Sequence, residues 1–264
     1  MYATSWWQNM LAAFSFFTRL PFWRLAKLPK EAYAHVVEWW PLVGWLTGGV
    51  MVGVIYLSLQ VFPGAISVLL GIAARILLMG ALHEDGLCDF FDGFGGGRGD
   101  RKLTLEIMRD SRVGTFGVLG MILYVALIFQ AQLLLLYKIS YLALMVIWVG
   151  DSYSKMLAGQ IIMMLPYART EEEAKNKVVY RRMNISACIC LALQGLIPLI
   201  LLIYFFFDNY GLRWDYIIYI PCLTMFVLYL LLKNRLGGYT GDCCGAICLI
   251  IELSFLYSVA IACI

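Results

Sequence analysis

Long apolar runs separated by short polar segments fill most of the 264 residues. A membrane-spanning helix needs about 20 consecutive, mostly apolar residues. Seven runs approach or exceed that length, at residues 41–62, 65–82, 113–137, 139–165, 185–207, 216–232 and 239–264. The pattern predicts an all-α fold, a polytopic integral membrane helical bundle of about seven transmembrane helices. No linker or soluble block interrupts the runs, so we expect one domain over residues 1–264.

The segment before the first run combines aromatic and basic residues. Trp6, Trp7 and Trp23 lie there together with Arg19 and Arg24. This mixture is typical of an amphipathic segment at the lipid headgroups, and a partly inserted extra helix is the alternative. We therefore expect an interfacial segment at the N-terminus.

Composition and charge agree with a membrane protein and indicate its orientation. The chain is 62% hydrophobic and 14% charged, and its mean hydropathy is +0.81. Sixteen of the 20 Lys and Arg residues lie in four segments: before the first run and after the second, fourth and sixth runs. Because basic segments stay cytoplasmic, we expect a multi-pass protein of the cell (inner) membrane with its N-terminus and charged loops in the cytoplasm. A lipid bilayer is the expected partner, and nucleic acid is not.

The eight cysteines do not form a paired C-x-x-C pattern. Thiols in the cytoplasm or within lipid remain reduced and behave as small hydrophobic groups. We expect neither a disulfide framework nor a thiolate metal site.

The stretch LHEDGLCDFFDGFGGG carries carboxylates at helical spacing in this apolar chain. Asp85, Asp89 and Asp92 stand at positions i, i+4 and i+7, which places them on one helix face. Stacked like charges repel, so a bound cation offers a reason for the arrangement, and a solvated acidic loop is the alternative. Oxygen ligands without a matching His or thiolate favour Mg²⁺ shared with a phosphate group.

Glycines and basic residues follow the carboxylates. Gly95, Gly96 and Gly97 are expected to adopt positive φ and to let a ligand approach the backbone. Downstream cations of the kind that bind phosphate are Arg98, Arg101, Lys102, Arg109 and Arg112. Carboxylates for a metal ion beside cations for phosphate oxygens indicate phosphoryl transfer. The stretch is not a P-loop, because G-x-x-x-x-G-K-[ST] is absent.

Other polar residues lie within or beside the apolar runs. Asp151 and Lys155, four residues apart, form either a functional site or a buried structural ion pair. Glu252 likewise belongs either to a functional site or to a buried structural ion pair. In the charged segment 166–184 a solvated helix is the simpler interpretation, and substrate binding by Arg181 and Arg182 is the alternative.

Five blocks resemble one known family. FFTRLP, WPLVGWLTG, LHEDGLCDFFDGFGGG, EIMRDSRVGTFG and GGYTGDCCGA occur in the order found in the cobalamin synthase (adenosylcobinamide-GDP ribazoletransferase) family, between about Phe14 and Glu252. The resemblance implies a Mg²⁺-dependent membrane enzyme of late cobalamin assembly. Such an enzyme transfers the adenosylcobinamide phosphate moiety from adenosylcobinamide-GDP to α-ribazole or α-ribazole 5′-phosphate and releases GMP. A homo-oligomer is compatible with this reading.

The resemblance also implies roles for individual residues. The metal-binding block would be Glu84, Asp85, Asp89 and Asp92. The phosphate- and substrate-binding residues would be Arg98, Arg109, Ser111, Arg112, Gly95, Gly96, Gly97 and Asp242, and Asp110 or Glu84 would accept the proton of the nucleophile. One departure is Leu249, which stands where many relatives have an acid.

Two rival functions remain. A CDP-alcohol phosphotransferase also uses D-x-x-D-G with Mg²⁺, and DFFDG fits that opening, but Gly96 and Gly97 stand where Ala-Arg is expected. A transporter would use Asp151 and Lys155 as coupling residues, but the chain shows no repeat of spans.

Overall fold

The computed structural model describes residues 4–169, 179–206 and 213–263. This part of the chain is helical, with an isolated β-bridge between Tyr167 and Tyr239 and no strand, which confirms the all-α prediction. Two 3₁₀ segments, Phe22–Arg24 and Lys30–Trp39, precede the second helix. The described α-helices are α1 (Trp6–Phe17), α2 (Trp40–Ser58), α3 (Gly64–Met79), α4 (Leu82–Gly96), α5 (Arg101–Ile107), α6 (Thr115–Ile139), α7 (Leu142–Gly159), α8 (Ile161–Met164), α9 (Ile185–Phe206), α10 (Trp214–Arg235) and α11 (Gly241–Ala262).

Several helices are long and apolar enough to cross a membrane. Within the described residues there are five, Lys30–Ser58, Thr115–Ile139, Ile185–Phe205, Trp214–Arg235 and Gly241–Ala262, or six if the bent pair α3 and α4 is counted as one span. The polytopic helical bundle is confirmed with fewer spans than the seven predicted. The runs at 65–82 and 139–165 account for the difference, because the first bends and the second, α7, is rich in polar residues.

A sharp elbow joins α3 to α4. Gly80 and Ala81 both adopt the left-handed conformation, with φ of 65° and 58°, and the two helix axes meet at 90°. Glycine suits this position because L-residues pay a steric cost there. The backbone N–H of Arg19 donates to the carbonyl of Leu78 at 2.8 Å, which ties the N-terminal segment to the elbow. Because of the elbow, α4 does not continue the direction of α3.

Four buried charged residues form a cluster inside the bundle. Arg75 of α3 donates to Glu252 of α11, and Lys155 donates to Asp151 one turn earlier on α7. Arg75 Nη1 lies 4.0 Å from Asp151 Oδ1, so the two pairs are connected. We call Arg75, Asp151, Lys155 and Glu252 the ion cluster.

Polar groups of two further helices complete the ion cluster. Thr47 of α2 donates to Asp151, and Arg75 Nη2 donates to the Tyr124 hydroxyl of α6 at 3.1 Å. The four charged side chains are at most 2% exposed, and two cations face two carboxylates. This burial and pairing favour the structural interpretation of Asp151, Lys155 and Glu252 over the transporter interpretation.

The N-terminal helix is too short to cross a bilayer. The 12 residues of α1 extend about 18 Å at 1.5 Å per residue, against a hydrocarbon core of about 30 Å. Trp6 and Trp23 are more than half exposed, whereas Phe17, at the end of α1, stacks on Trp40 with ring centroids 5.3 Å apart. The segment agrees with an interfacial location, and its C-terminal end packs on the bundle.

Candidate active site

Close backbone contact sets α4 across the start of α11. A side chain at Gly86 would place its Cβ 2.9 Å from the carbonyl oxygen of Asp242, and one at Gly245 would place it 3.2 Å from the Cα of His83. Only glycine fits at position 86 without a shift of the backbone, and a side chain at position 245 would be tight. The contact brings Asp85, next to Gly86, beside the first turn of α11.

Asp85 and Asp242 line the same cavity, which has a volume of about 170 Å³. His83 and Arg169 are further polar residues of its wall. Five aromatic residues contribute to the wall, Phe16, Phe17, Trp40, Tyr167 and Tyr180, and the rest of it is formed by Val37, Leu82, Gly241, Cys244 and Gly245. We call this space the aromatic cavity. Burial raises the pKa of Tyr167 and of Tyr180, so both phenols stay protonated at neutral pH.

A second cavity, of about 760 Å³, is basic. Its charged residues are Asp100, Arg101, Lys102, Glu106, Arg109 and Arg169. Arg101 Nη2 donates to the carbonyl of Ala168 at 3.0 Å, and Arg169 Nη2 donates to that of Leu105 at 2.9 Å. These bonds fix α5 against the segment that follows α8. We call this space the basic groove; Arg169 lines both cavities and lies between them.

A third cavity, of about 480 Å³, is lined by Asp92, Gly96, Asp110 and Arg112. Asp92 accepts hydrogen bonds from the backbone N–H groups of Gly114 at 2.7 Å and Gly117 at 2.8 Å. Gly114 is the N-cap of α6 and has no side chain to cap the helix. Asp92 supplies that cap from α4 and places a negative charge at the positive end of the helix dipole.

We expect Asp92 to stabilise the fold. Replacing Asp92 with alanine removes two charge-assisted hydrogen bonds and should lower the free energy of unfolding by about 1–3 kcal/mol; Asp92→Asn, which keeps one acceptor oxygen, should lose about half as much. Thermal unfolding in detergent measures both. The Mg²⁺ concentration for half-maximal activity should stay unchanged in Asp92→Asn, and a tenfold rise would instead place Asp92 on the metal.

Asp110 and Arg112 bind each other at the surface. Arg112 Nη2 donates to Asp110 Oδ2 at 2.6 Å, and Nε donates to Oδ1 at 3.0 Å. These hydrogen bonds lower the pKa of Asp110 to about 2. A carboxylate with so low a pKa is a weak proton acceptor at neutral pH, which argues against the predicted role of Asp110 as a base.

The glycines of the acidic stretch differ from the prediction. Gly95 and Gly96 lie within α4 and Gly97 is its C-cap with φ of −73°, whereas positive φ occurs next at Arg98 and Gly99. A Cβ at Gly95 would collide with the ring of Phe116, and one at Gly97 with Thr104. Gly95 and Gly97 therefore serve helix packing, and only Gly96 lines a cavity. Arg98 and Ser111 are exposed and lie outside the three cavities.

The four predicted metal ligands do not converge. Among the described residues, no three His, Cys, Asp or Glu side chains are close enough to hold one ion. Asp85 and Asp92 share a face of α4, but seven residues separate them by about 10 Å along the axis. Glu84 is 5% exposed, and neither carboxylate oxygen has a hydrogen-bond partner in the described part of the chain. Glu84 does not line the aromatic cavity.

The aromatic cavity contains two carboxylates rather than the four that the sequence predicted as metal ligands. Mg²⁺ in phosphoryl-transfer sites takes one or two carboxylates and completes its shell with water and substrate phosphate. Asp85 and Asp242 provide two carboxylates from different helices at one cavity. Asp89, half-buried, lies one turn further along the same face of α4.

Sequence reasoning missed several residues of this site. His83, Trp40, Tyr167, Tyr180 and Arg169 line the aromatic cavity and were not among the candidates. His83 carried a signal, because it is one of two histidines and directly precedes the acidic residues. The aromatic residues carried none, since such residues are common at membrane interfaces.

The charged segment 166–184 lies only partly within the described residues, which omit 170–178. The predicted solvated helix is therefore not tested over 170–178, and the described residues 179–184 are not helical. Arg181 N donates to the carbonyl of Ala34 at 2.9 Å, and the side chains of Arg181 and Arg182 are exposed. Tyr180 is the residue of this segment that reaches the aromatic cavity.

Comparison with known proteins gives matches over nearly the whole chain. Residues 9–260 match the family model described as cobalamin-5-phosphate synthase. Three similar proteins are each named adenosylcobinamide-GDP ribazoletransferase. The protein from Shewanella amazonensis is 36% identical over 92% of this chain and 91% of its own length. Those from Leptospira interrogans and Ralstonia pickettii are each 32% identical, over 97% and 95% of this chain and 96% and 94% of their own lengths. No solved structure matches the chain.

Proposed function

Because the chain belongs to the cobalamin-5-phosphate synthase family, we propose that it is an adenosylcobinamide-GDP ribazoletransferase. It transfers the adenosylcobinamide phosphate moiety to α-ribazole or α-ribazole 5′-phosphate and releases GMP, in a late step of cobalamin biosynthesis. One observation carries the assignment of the site. Asp85 and Asp242 share a cavity with Arg169, and Arg169 also lines the basic groove.

The basic groove suits the pyrophosphate of the donor, and the aromatic cavity suits the acceptor. The pyrophosphate of the donor lies in the basic groove, where Arg101, Lys102 and Arg109 neutralise its oxygens. The acceptor enters the aromatic cavity, and its oxygen attacks the phosphorus that bears the cobinamide. The bond from that phosphorus to the GMP oxygen breaks, and the proton of an attacking hydroxyl is released.

Asp85 and Asp242 are the residues that would hold Mg²⁺ at the junction. The ion supplies charge neutralisation of the phosphate oxygens as the leaving group departs. Arg169, which is fixed by its bond to the carbonyl of Leu105, adds a cation that needs no rearrangement. Such pre-organised charge stabilises the transition state more than the ground state.

We also propose that the enzyme lies in the cell (inner) membrane with its site on the cytoplasmic side. The three cavities lie among the loops rich in Lys and Arg that the positive-inside rule keeps in the cytoplasm. That side contains the phosphorylated substrates. The apolar helices with long exposed faces, such as α6 and α9, contact lipid.

Release of GMP by purified protein tests the proposal. Detergent-solubilised enzyme with adenosylcobinamide-GDP, Mg²⁺ and either acceptor should form one GMP for each cobalamin product, and EDTA should stop both. Protein without acceptor and protein given CDP-activated alcohols are the controls. Folded protein that releases no GMP with either acceptor would contradict the assignment, and turnover of a CDP-alcohol would favour the rival transferase.

A further inference from the structure

The aromatic cavity has the size and the walls of a site for a flat ring. Its volume, about 170 Å³, is below the ~300–1,000 Å³ of pockets that hold drug-sized ligands, so a corrin macrocycle does not fit. Phe17 and Trp40 stack nearly parallel, with 13° between the ring planes, and Phe16 meets Tyr180 edge to face with centroids 6.4 Å apart. Rings held by one another in this way form a rigid stacking surface.

Two nitrogen atoms in the wall have unused hydrogen-bonding capacity. Trp40 Nε1 and His83 Nε2 are buried, and neither has a hydrogen-bond partner among the described residues. Trp40 is 1% exposed and His83 is 3% exposed, and their rings meet at 5.3 Å. Both atoms have almost no accessible surface, so neither is offered to a ligand in the aromatic cavity. These two wall residues therefore present ring faces and edges to a ligand rather than hydrogen-bonding groups.

These features favour a weakly polar base over guanine. Guanine presents several donors and acceptors along its edge, and a wall of aromatic rings leaves most of them unpaired. The carboxylates of the cavity, Asp85 and Asp242, are the residues that would hold Mg²⁺. The GDP portion of the donor carries its charge on phosphates, and the four cations Arg101, Lys102, Arg109 and Arg169 lie in the basic groove.

We propose that the aromatic cavity is the subsite for the planar base of the acceptor α-ribazole, an inference that rests on the proposed function. The benzimidazole-type base stacks on one of the two perpendicular rings of Phe16 and Tyr180 and meets the other edge to face. The ribose then points towards Asp85 and Asp242, where its 5′ oxygen meets the donor phosphorus. The end of the N-terminal helix α1 thereby determines which acceptor the enzyme selects.

Separate KM values for the two substrates test the subsite. Stacking of a base on an aromatic side chain accounts for about a 5- to 100-fold change in affinity. Phe16→Leu and Tyr180→Leu should each raise the KM for α-ribazole by that factor and leave the KM for adenosylcobinamide-GDP within twofold. Tyr180→Phe, which keeps the ring, should restore the acceptor KM. Trp23→Leu changes an exposed aromatic residue of the same segment and should alter neither value.

Binding without turnover gives a second measurement that needs no variant. Wild-type protein is dialysed against labelled α-ribazole without donor or Mg²⁺, and free dimethylbenzimidazole should displace the label whereas guanosine should not. Displacement by guanosine, or a variant that raises the donor KM instead, would overturn the subsite. If the Phe16→Leu and Tyr180→Leu enzymes are active with unchanged KM values for α-ribazole, the subsite is also overturned. Wild type that binds α-ribazole but releases no GMP would overturn the proposed function alone.

Discussion

Asp85→Asn should reduce GMP release at least about a thousandfold while the protein stays folded. The substitution keeps the shape of the side chain and removes one of the two carboxylates of the aromatic cavity. Loss of a metal ligand costs several kcal/mol of transition-state stabilisation, and each 1.4 kcal/mol is about tenfold in rate. Asp242→Asn should have an effect of similar size. Initial rates over a range of Mg²⁺ concentrations measure both.

The double variant separates a shared ion from two independent effects. If Asp85 and Asp242 act through one ion, Asp85→Asn/Asp242→Asn should lose little more activity than either single variant, because residues that act as a unit are not additive. Asp215→Asn, in the first turn of α10 and outside the lining of the three cavities, is the matched control and should be fully active. An Asp85→Asn enzyme with normal rate and normal Mg²⁺ dependence would remove Asp85 from the metal site.

The pattern of apolar residues predicted most of the helices. It failed where contacts between helices determine the direction or the burial of a segment. The run at 65–82 looks continuous because Gly80 and Ala81 fit an apolar segment as well as their neighbours do. Their left-handed conformation nevertheless creates the elbow. Asp151 of α7 is buried beside two residues that are distant in sequence, Thr47 and Arg75, in addition to Lys155 on the same helix. A hydropathy average over a window of sequence shows neither the backbone conformation at the elbow nor the distant partners of a buried polar residue.

Some charged residues of the candidate site, such as Asp85 and Asp242, were predictable from the sequence, whereas Arg169 and the aromatic walls were not. Helical spacing placed Asp85, Asp89 and Asp92 correctly on one face, and α4 confirms that they are helical. The spacing did not show that Asp92 is engaged by the start of α6, nor that Asp242 joins Asp85. Gly95 and Gly97 were interpreted as ligand contacts, although a Cβ at these positions would collide with Phe116 and Thr104. Such assignments depend on which helices pack together.

Neutralising one member of the ion cluster should destabilise the bundle strongly. Asp151→Asn keeps the shape of the side chain and an acceptor for Thr47, but it leaves Lys155 without a carboxylate partner at 1% exposure. Removing one partner of a buried ion pair typically costs about 3–5 kcal/mol, because the remaining charge stays desolvated. That loss is a large part of the total stability of a typical protein, about 5–15 kcal/mol. All eight cysteines are free, so a thiol-reactive dye reports thermal unfolding in detergent.

Removing both charges of the pair should do less damage than removing one. Asp151→Asn/Lys155→Met replaces the pair with neutral groups of similar volume, a change that is often nearly neutral in buried sites. The double variant should therefore unfold at a higher temperature than Asp151→Asn alone. If both unfold equally early, lost packing rather than an unpaired charge is the cause. If Asp151→Asn matches wild type, the bundle tolerates the unpaired Lys155, and the ion cluster must then be retained for a reason other than stability.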